Sequence, residues 1–295
     1  MRSTPAGAAA LACAALVALA GALGAGATPT PVPRVTLIGD SVSDAITLDS
    51  GAVQILGQGV ELNLQTQACR RLEALSCPQD NGTRPATALD LIQSLGRELG
   101  NTTIVAVGYN DPESEFASEL ADVVAALHKA GVKHILLPTL RAARHPYLTM
   151  NSAIVAEGAA DPAVTVVDWN LYSRSHPEWF QSDGLHLAGD GAQAMATLFH
   201  KWLVNLHVAP EPLAVETRRL PDARRGRPYV ARLAALGGEP PYRWSALRLP
   251  RGFALTAGGM LSGTPDGQTT LRLTVRVTDA TGDRAARLLA IHLHP

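Results

Sequence analysis

Three groups of polar side chains in the first two-thirds of the sequence could together carry out acyl transfer. A Gly-Asp-Ser triplet ends in Ser41, whose hydroxyl could serve as a nucleophile. Asn110 could donate a side-chain N–H to an oxygen that gains negative charge. Asp183 stands three residues before His186, and a carboxylate at that spacing can orient an imidazole that accepts the hydroxyl proton. The first two groups are each also typical of a turn or a helix cap, and each of the three signals alone is modest, so it is the combination that predicts catalysis.

The elements around these residues predict an α/β domain, a three-layer parallel sheet flanked by helices. Short β-branched runs alternate with helical periodicity between residues 35 and 206. Because Ser41 and Asn110 each follow a predicted strand, we expect both side chains where parallel strands end. Strands are predicted at residues 35–38, 61–64, 103–107, 134–137 and 164–167.

Two long amphipathic helices are predicted in the same domain. Residues 113–130 and 189–207 place large apolar side chains at helical spacing, so each helix is expected to pack one face on the core. Asp111 and Pro112 are predicted to start the first helix, with Asp111 as a candidate cap, and Gly131 to end it.

An all-β domain is predicted after residue 208, which divides the chain into residues 28–208 and 209–295. Residues 271–278 alternate apolar and polar side chains, and Gly and Pro turns recur, as in a small β-sandwich. Its 13 basic side chains are all arginine, so it could bind an anionic envelope polymer, with a solvated spacer as the alternative. Asp279 and Asp283 could hold calcium, although a hairpin turn explains them more simply.

The first 27 residues are predicted to be a secretion signal. An apolar run after Arg2 ends in Ala25-Gly26-Ala27 before a Thr-Pro stretch, which predicts cleavage after Ala27. An uncleaved membrane anchor is the alternative. Cys13 is assigned as an apolar filler within this run. We therefore expect the protein to be secreted or associated with the cell envelope.

Two cysteines, Cys69 and Cys77, remain after removal of the signal. An even number in an exported chain favours a disulfide, with two free thiols as the alternative. No His or second Cys pair lies nearby at ligand spacing, so no metal site is predicted.

The overall composition excludes two classes of protein. A chain of 295 residues with 46% hydrophobic residues can bury a core and is not disordered. The 25 Lys and Arg residues balance 26 Asp and Glu residues, and a net charge of −1 excludes a protein organised around nucleic-acid phosphates. Residues 1–208 carry a net −7 and residues 209–295 a net +6, so the two predicted domains differ chemically.

The order Ser, Asn, Asp-x-x-His over residues 34–206 resembles the SGNH hydrolases, also called GDSL esterases and lipases. This resemblance implies that Ser41 is the nucleophile, His186 the general base and then acid, and Asp183 the residue that orients the imidazole. It implies no metal or organic cofactor. The match is closest to the branch that includes extracellular domains of polysaccharide and peptidoglycan O-acyltransferases, on the motifs Val166-Val167-Asp168-Trp169, His176-Pro177-Glu178-Trp179-Phe180 and Asp183-Gly184-Leu185-His186-Leu187.

The resemblance also implies an oxyanion hole formed by the backbone N–H of Ser41, the side chain of Asn110 and a third N–H. In the family the third donor belongs to a glycine after the second strand, and Cys69 stands at that position here. Cys69 could still donate if the turn accepts a Cβ. A disulfide to Cys77 would then hold this loop in place.

Residues 213–293 resemble the Ig-fold repeat of bacterial surface and secreted proteins, which implies a fold and says little about a ligand. The matching motifs are Gly226-Arg227-Pro228-Tyr229, Gly237-Gly238-Glu239-Pro240-Pro241-Tyr242-Arg243-Trp244-Ser245, Leu249-Pro250-Arg251-Gly252-Phe253 and Leu261-Ser262-Gly263-Thr264-Pro265.

We therefore expect a secreted serine esterase that removes acetyl or short-chain acyl groups from a small-molecule or carbohydrate ester through a triad and an acyl-enzyme. An O-acetyltransferase acting on cell-envelope carbohydrate would use the same residues. The sequence shows no multi-span membrane portion that could deliver acyl groups, so we expect hydrolysis and not transfer. A non-enzymatic envelope-binding protein with a vestigial triad is the other alternative.

Overall fold

A computed structural model describes residues 32–79, 81–143, 145–266 and 269–295, without the side chain of residue 145. The predicted secretion signal lies outside these residues. Within the described residues, no helix combines the length and apolar character needed to span a bilayer.

Five parallel strands form one sheet in the order β2-β1-β3-β4-β5. The sequence predicted each of these strands to within two residues at either end. β1 and β3 are buried along nearly their whole length, as expected when helices cover both faces of a parallel sheet. The strands are β1 (Arg34–Gly39), β2 (Glu61–Thr66), β3 (Thr102–Ala106), β4 (His134–Pro138) and β5 (Val164–Val167).

Six of the seven α-helices of the described residues pack in two groups. One group contains α1, α2 and α7, and the other contains α3, α4 and α5. The connection from β1 to β2 crosses the sheet in the opposite direction to the later connections. Because connections between parallel strands are right-handed, the two groups of helices lie on opposite faces of the sheet. The helices are α1 (Ser41–Leu48), α2 (Ser50–Leu56), α3 (Ala88–Leu95), α4 (Glu113–Ala130), α5 (His145–Ala160), α6 (Trp169–Ser173) and α7 (Gly189–Asn205).

The start of α4 corrects one prediction. Gly131 ends the helix in a left-handed conformation, with φ of 91°, as expected. At the other end Pro112 is the cap residue, and no side chain caps the helix. The Asp111 carboxylate instead accepts the backbone N–H of Leu72 at 2.8 Å. The carboxylate that the sequence predicted to cap α4 therefore makes a tertiary contact instead.

The carboxyl-terminal region is built of β-strands around a separate apolar cluster that extends from Val215 to Leu293. In β13, Leu273, Val275 and Val277 are buried and alternate with more exposed residues, as the sequence predicted. The described strands are β6 (Ala214–Val215), β7 (Ala223–Arg224), β8 (Tyr229–Arg232), β9 (Ala235–Leu236), β10 (Arg243–Arg248), β11 (Phe253–Leu255), β12 (Met260–Gly263), β13 (Thr270–Thr278) and β14 (Arg284–His294).

These strands form a four-stranded sheet β10-β13-β14-β7, a three-stranded sheet β11-β12-β8 and the pair β6-β9. The turn between β13 and β14 uses the Asp279 carboxylate, which accepts the backbone N–H groups of Thr281 and Asp283. The hairpin thus accounts for the Asp279 carboxylate.

Candidate active site

The polar residues singled out by their sequence positions meet where the strand order reverses. β1 lies between β2 and β3, and the ends of the three strands are level because Gly39 pairs with both Thr66 and Ala106. The chain then leaves β1 through Asp40 and leaves β3 toward Asn110. Crevices at such reversal points are the usual ligand sites of open α/β sheets.

Ser41 is the first residue of α1 and is half-buried. Its Oγ lies 3.0 Å from Nε2 of His186, although the two residues are 145 positions apart. Asp40 caps α1 by accepting the backbone N–H of Val42 at 3.0 Å, which fixes the turn that presents the hydroxyl.

The other ring nitrogen of His186 contacts Asp183, with 2.5 Å between Nδ1 and Oδ2. The second carboxylate oxygen accepts the backbone N–H groups of Leu185 and His186. The hydrogen bond from His186 is the main reason that the pKa of Asp183 falls to about 2. An ionised carboxylate can only accept, so Nδ1 carries a hydrogen, and in the neutral imidazole Nε2 presents its lone pair to the Ser41 hydroxyl.

Contacts between an imidazole and a carboxylate recur in this protein, so such a contact alone does not mark a site. Within the described residues His186 differs from the others because its second nitrogen meets a serine hydroxyl. The other pairs are His128–Asp161 at 2.5 Å, His176–Glu178 at 2.8 Å and His294–Asp222 at 3.0 Å.

The loop that carries His186 is fixed from both sides. Gln181 donates its backbone N–H to the carbonyl of His186 at 2.8 Å and its side-chain amide to the carbonyl of Leu187 at 3.2 Å. Behind the loop, α7 approaches Trp179 so closely that a Cβ on Gly191 would lie 2.1 Å from the Trp179 carbonyl oxygen. Only glycine permits this approach, which sequence reasoning did not identify.

Asn110 is held against the chain segment that follows β2. Its Nδ2 donates to the carbonyl of Arg70 at 3.3 Å, and its own carbonyl accepts Nε of Arg71 at 2.7 Å. Asp111 adds its bond to the N–H of Leu72. An amide nitrogen carries two hydrogens, so one N–H of Asn110 remains available to a ligand.

Cys69 precedes this segment and has φ of 69°, in the left-handed region that favours glycine. The predicted disulfide to Cys77 is confirmed, with 5.1 Å between the Cα atoms. The turn therefore accepts a Cβ at the position where the resembled family has glycine, and the disulfide closes the loop that contacts Asn110.

Asp40 has a role that the sequence reading missed, since the triplet indicated only a helix cap. Its side chain is fully buried, and Oδ2 accepts the backbone N–H groups of Gly108 and Tyr109, each at 3.2 Å. Burial raises the pKa of Asp40 to about 6. One carboxylate thus ties the turn before Ser41 to the loop before Asn110.

A second buried carboxyl group lies directly after Asn110. Oδ2 of Asp111 and Oε2 of Glu119 are buried and have no hydrogen-bond partner within the described part of the chain. Burial, followed by the nearby Glu119 carboxylate, raises the pKa of Asp111 above its ordinary value of 3.8. Folding therefore makes the protonated form of Asp111 more favourable than it is in the unfolded chain.

This shift predicts a stability difference that depends on pH. Folded Asp111 holds its proton to higher pH than the unfolded chain does, so wild type loses stability as pH rises above about 4. Asparagine cannot ionise and keeps an oxygen for the N–H of Leu72. In urea unfolding we expect Asp111→Asn to be more stable than wild type at pH 8 and to lose this advantage at pH 4. The same pH dependence in both proteins would contradict the assignment.

A cleft of about 260 Å³ opens beside Ser41 and His186. Its walls come from α1, from the loop that carries His186 and from the start of α7. The lining residues are Ser41, Ala45, Leu48, Asp49, Gln181, His186, Leu187, Ala188, Gly189 and Ala192.

Two curated proteins are similar to part of the chain. The peptidoglycan O-acetyltransferase OatA of Listeria monocytogenes is 32% identical over 118 residues, which cover 35% of this chain and 18% of OatA. YrhL of Bacillus subtilis, named as a candidate peptidoglycan O-acetyltransferase, is 25% identical over 148 residues, which cover 50% of this chain and 23% of YrhL. The chain thus matches only about a fifth of the length of either protein.

Among solved structures, a family 3 carbohydrate esterase from Clostridium thermocellum superposes with a TM-score of 0.46 at 13% identity, covering 59% of this chain and 96% of the esterase. No protein-family model matches the chain.

Proposed function

We propose that this chain is a serine hydrolase of SGNH type that cleaves acyl esters, with acetyl or short-chain acyl groups on a carbohydrate or other small alcohol. The observation that carries the proposal is the continuous hydrogen-bonded series from the Ser41 hydroxyl through His186 to Asp183. A hydroxyl, an imidazole and a carboxylate in this order are what nucleophilic acyl transfer requires.

In the proposed reaction Ser41 Oγ bonds to the acyl carbon while Nε2 of His186 takes the hydroxyl proton. The tetrahedral oxyanion then collapses, the bond to the alcohol oxygen breaks, and Nε2 returns its proton to that oxygen. Water attacks the acyl-enzyme with His186 again as base, which releases the acid and restores the Ser41 hydroxyl. The Asp183 carboxylate stabilises the imidazolium at both stages.

The proposed oxyanion donors are the backbone N–H groups of Ser41 and Cys69 and the free side-chain N–H of Asn110. The contact between the segments that carry Asn110 and Cys69 supports this assignment, because the Asn110 side chain donates to the carbonyl of Arg70, the residue after Cys69. The left-handed backbone of Cys69 is the conformation in which a glycine would be expected.

Replacement of Asn110 by alanine tests this role. Loss of one oxyanion donor typically costs about 3 to 4 kcal/mol in the transition state, so we expect kcat for p-nitrophenyl acetate to fall by roughly 10² to 10³. Asn101, exposed at the opposite end of β3, supplies the matched control. If Asn110→Ala and Asn101→Ala were equally active, Asn110 would not be a donor.

The second candidate is transfer of the acyl group to a carbohydrate hydroxyl, which the names of the two curated relatives favour. Both reactions share the acyl-enzyme and differ in whether water or a sugar attacks it. Measurement of acetate release against acetyl transfer to chitooligosaccharide separates them. Acetate alone indicates an esterase, and an acetylated oligosaccharide indicates a transferase.

We further propose an extracytoplasmic location and the division into residues 28–208 and 209–295. The Cys69–Cys77 disulfide supports the location, and the two apolar clusters support the division, with Ala209 packed in the first cluster one residue beyond the boundary. The second part is proposed to be an Ig-like domain whose exposed arginines could contact an anionic envelope polymer.

A further inference from the structure

The cleft beside the site borders Ser41 and His186. Its lining includes His186 and the residues that follow it, Leu187 to Gly189. Asn110 and Cys69, two of the three proposed oxyanion donors, do not line it. The cleft is therefore bordered by His186 and not by these two donors.

The proposed reaction determines which part of an ester lies on each side. The carbonyl oxygen must point to the N–H groups of Ser41 and Asn110, where its negative charge is stabilised. The alcohol oxygen must lie within hydrogen-bond reach of Nε2 of His186, because that nitrogen protonates it as it leaves. The alcohol is thus directed to the side of His186 that borders the cleft.

The cleft combines apolar surface with a small number of polar groups. Ala45, Ala188 and the exposed Leu48 provide C–H surface. Asp49 provides a carboxylate that accepts the N–H of Ala52 at 2.8 Å and a weaker bond from Gln193 at 3.3 Å. A carboxylate has about four lone-pair positions, so Asp49 can accept further hydrogen bonds.

This mixture matches a sugar ring, which has hydroxyl donors at its edge and C–H groups on its faces. The volume of the cleft is about 260 Å³. It is slightly below the range of about 300 to 1,000 Å³ of pockets for drug-sized ligands. The cleft therefore has room for one ring.

We propose that this cleft binds the alcohol part of the ester, a single sugar ring that carries the O-acyl group, with Asp49 and Leu48 as specificity-determining residues. The inference rests on the proposed function. Because the attacking alcohol of a transferase must approach the acyl-enzyme where the leaving alcohol departed, an acceptor sugar would use the same cleft.

The proposal is tested by replacing Gly189, which lines the cleft, with a larger residue that occupies part of the cleft. A Cβ on this exposed residue would meet its nearest neighbour, Oδ2 of Asp49, at 3.5 Å, an ordinary contact, so Gly189→Phe adds bulk without backbone strain. The matched control is Thr197→Phe, an exposed position two turns further along α7. Each protein is assayed with an O-acetylated monosaccharide, with methyl acetate, and with p-nitrophenyl esters of two, four and eight carbons.

We expect Gly189→Phe to lower the ratio of kcat/KM for the sugar acetate to that for methyl acetate by at least tenfold, without changing the order of acyl-chain preference. Thr197→Phe should match wild type. A shift toward shorter acyl chains with an unchanged sugar ratio would assign the cleft to the acyl group and overturn the inference. No change in either ratio would overturn it as well.

Leu48→Ala provides a second variant that does not depend on added bulk. The side chain is 81% exposed, so its truncation spares the core, and we expect a three- to tenfold rise in KM for the sugar acetate alone. An unchanged KM would remove Leu48 from the proposal.

A wild-type protein inactive on every ester would refute the proposed function, whereas an active enzyme insensitive to both substitutions would refute only the assignment of the cleft.

Discussion

Replacement of Ser41 by alanine is expected to lower kcat/KM for p-nitrophenyl acetate by a factor of about 10⁴ to 10⁶. Without the hydroxyl no acyl-enzyme forms, and only the oxyanion donors and binding contacts remain to assist direct attack by water. The Ser41 hydroxyl bonds to His186 on a part-exposed loop, so its loss should leave the melting temperature nearly unchanged. Activity within tenfold of wild type in a folded Ser41→Ala protein would refute nucleophilic catalysis by this residue.

Substitution of His186 by glutamine is expected to reduce kcat by a similar factor of about 10⁴ to 10⁶. Without the imidazole, Ser41 loses the base that takes its proton, and the leaving alcohol loses the acid that protonates it. His128 supplies a matched control, because its Nε2 lies 2.5 Å from Oδ2 of Asp161. Like His186, it is an imidazole that contacts a carboxylate. We expect His128→Gln to retain activity within about twofold. Equal losses in the two variants would indicate a general structural effect and not a catalytic one.

The sequence predicted the parallel sheet well because most of its strands are short, apolar and buried, as β1 and β3 are, and such runs are visible locally. The contact between Asp183 and His186 was also predictable, since both residues lie in one short loop. The position of Ser41 and Asn110 at the same edge followed from their places after β1 and β3. These predictions needed only local pattern and the rule that parallel strands end together.

Contacts set by tertiary structure were not predictable in this way. Asp40 reaches the N–H groups of Gly108 and Tyr109, 68 and 69 residues away, only because β1 and β3 pair in register. Asp111 was assigned to the start of α4, yet the packing of the segment after β2 brings the N–H of Leu72 to its carboxylate. A short polar side chain can serve either a helix cap or a distant N–H, and local sequence does not distinguish the two.

Reaction of the wild-type protein with a fluorophosphonate probe, followed by mass spectrometry of its peptides, tests the central claim most directly. An exposed serine without a base does not react, whereas a hydroxyl activated by an imidazole does. We predict one adduct per molecule, located on Ser41 and absent from the His186→Gln protein. A folded wild-type protein that remains unlabelled, or that is labelled on a different residue, would contradict the account.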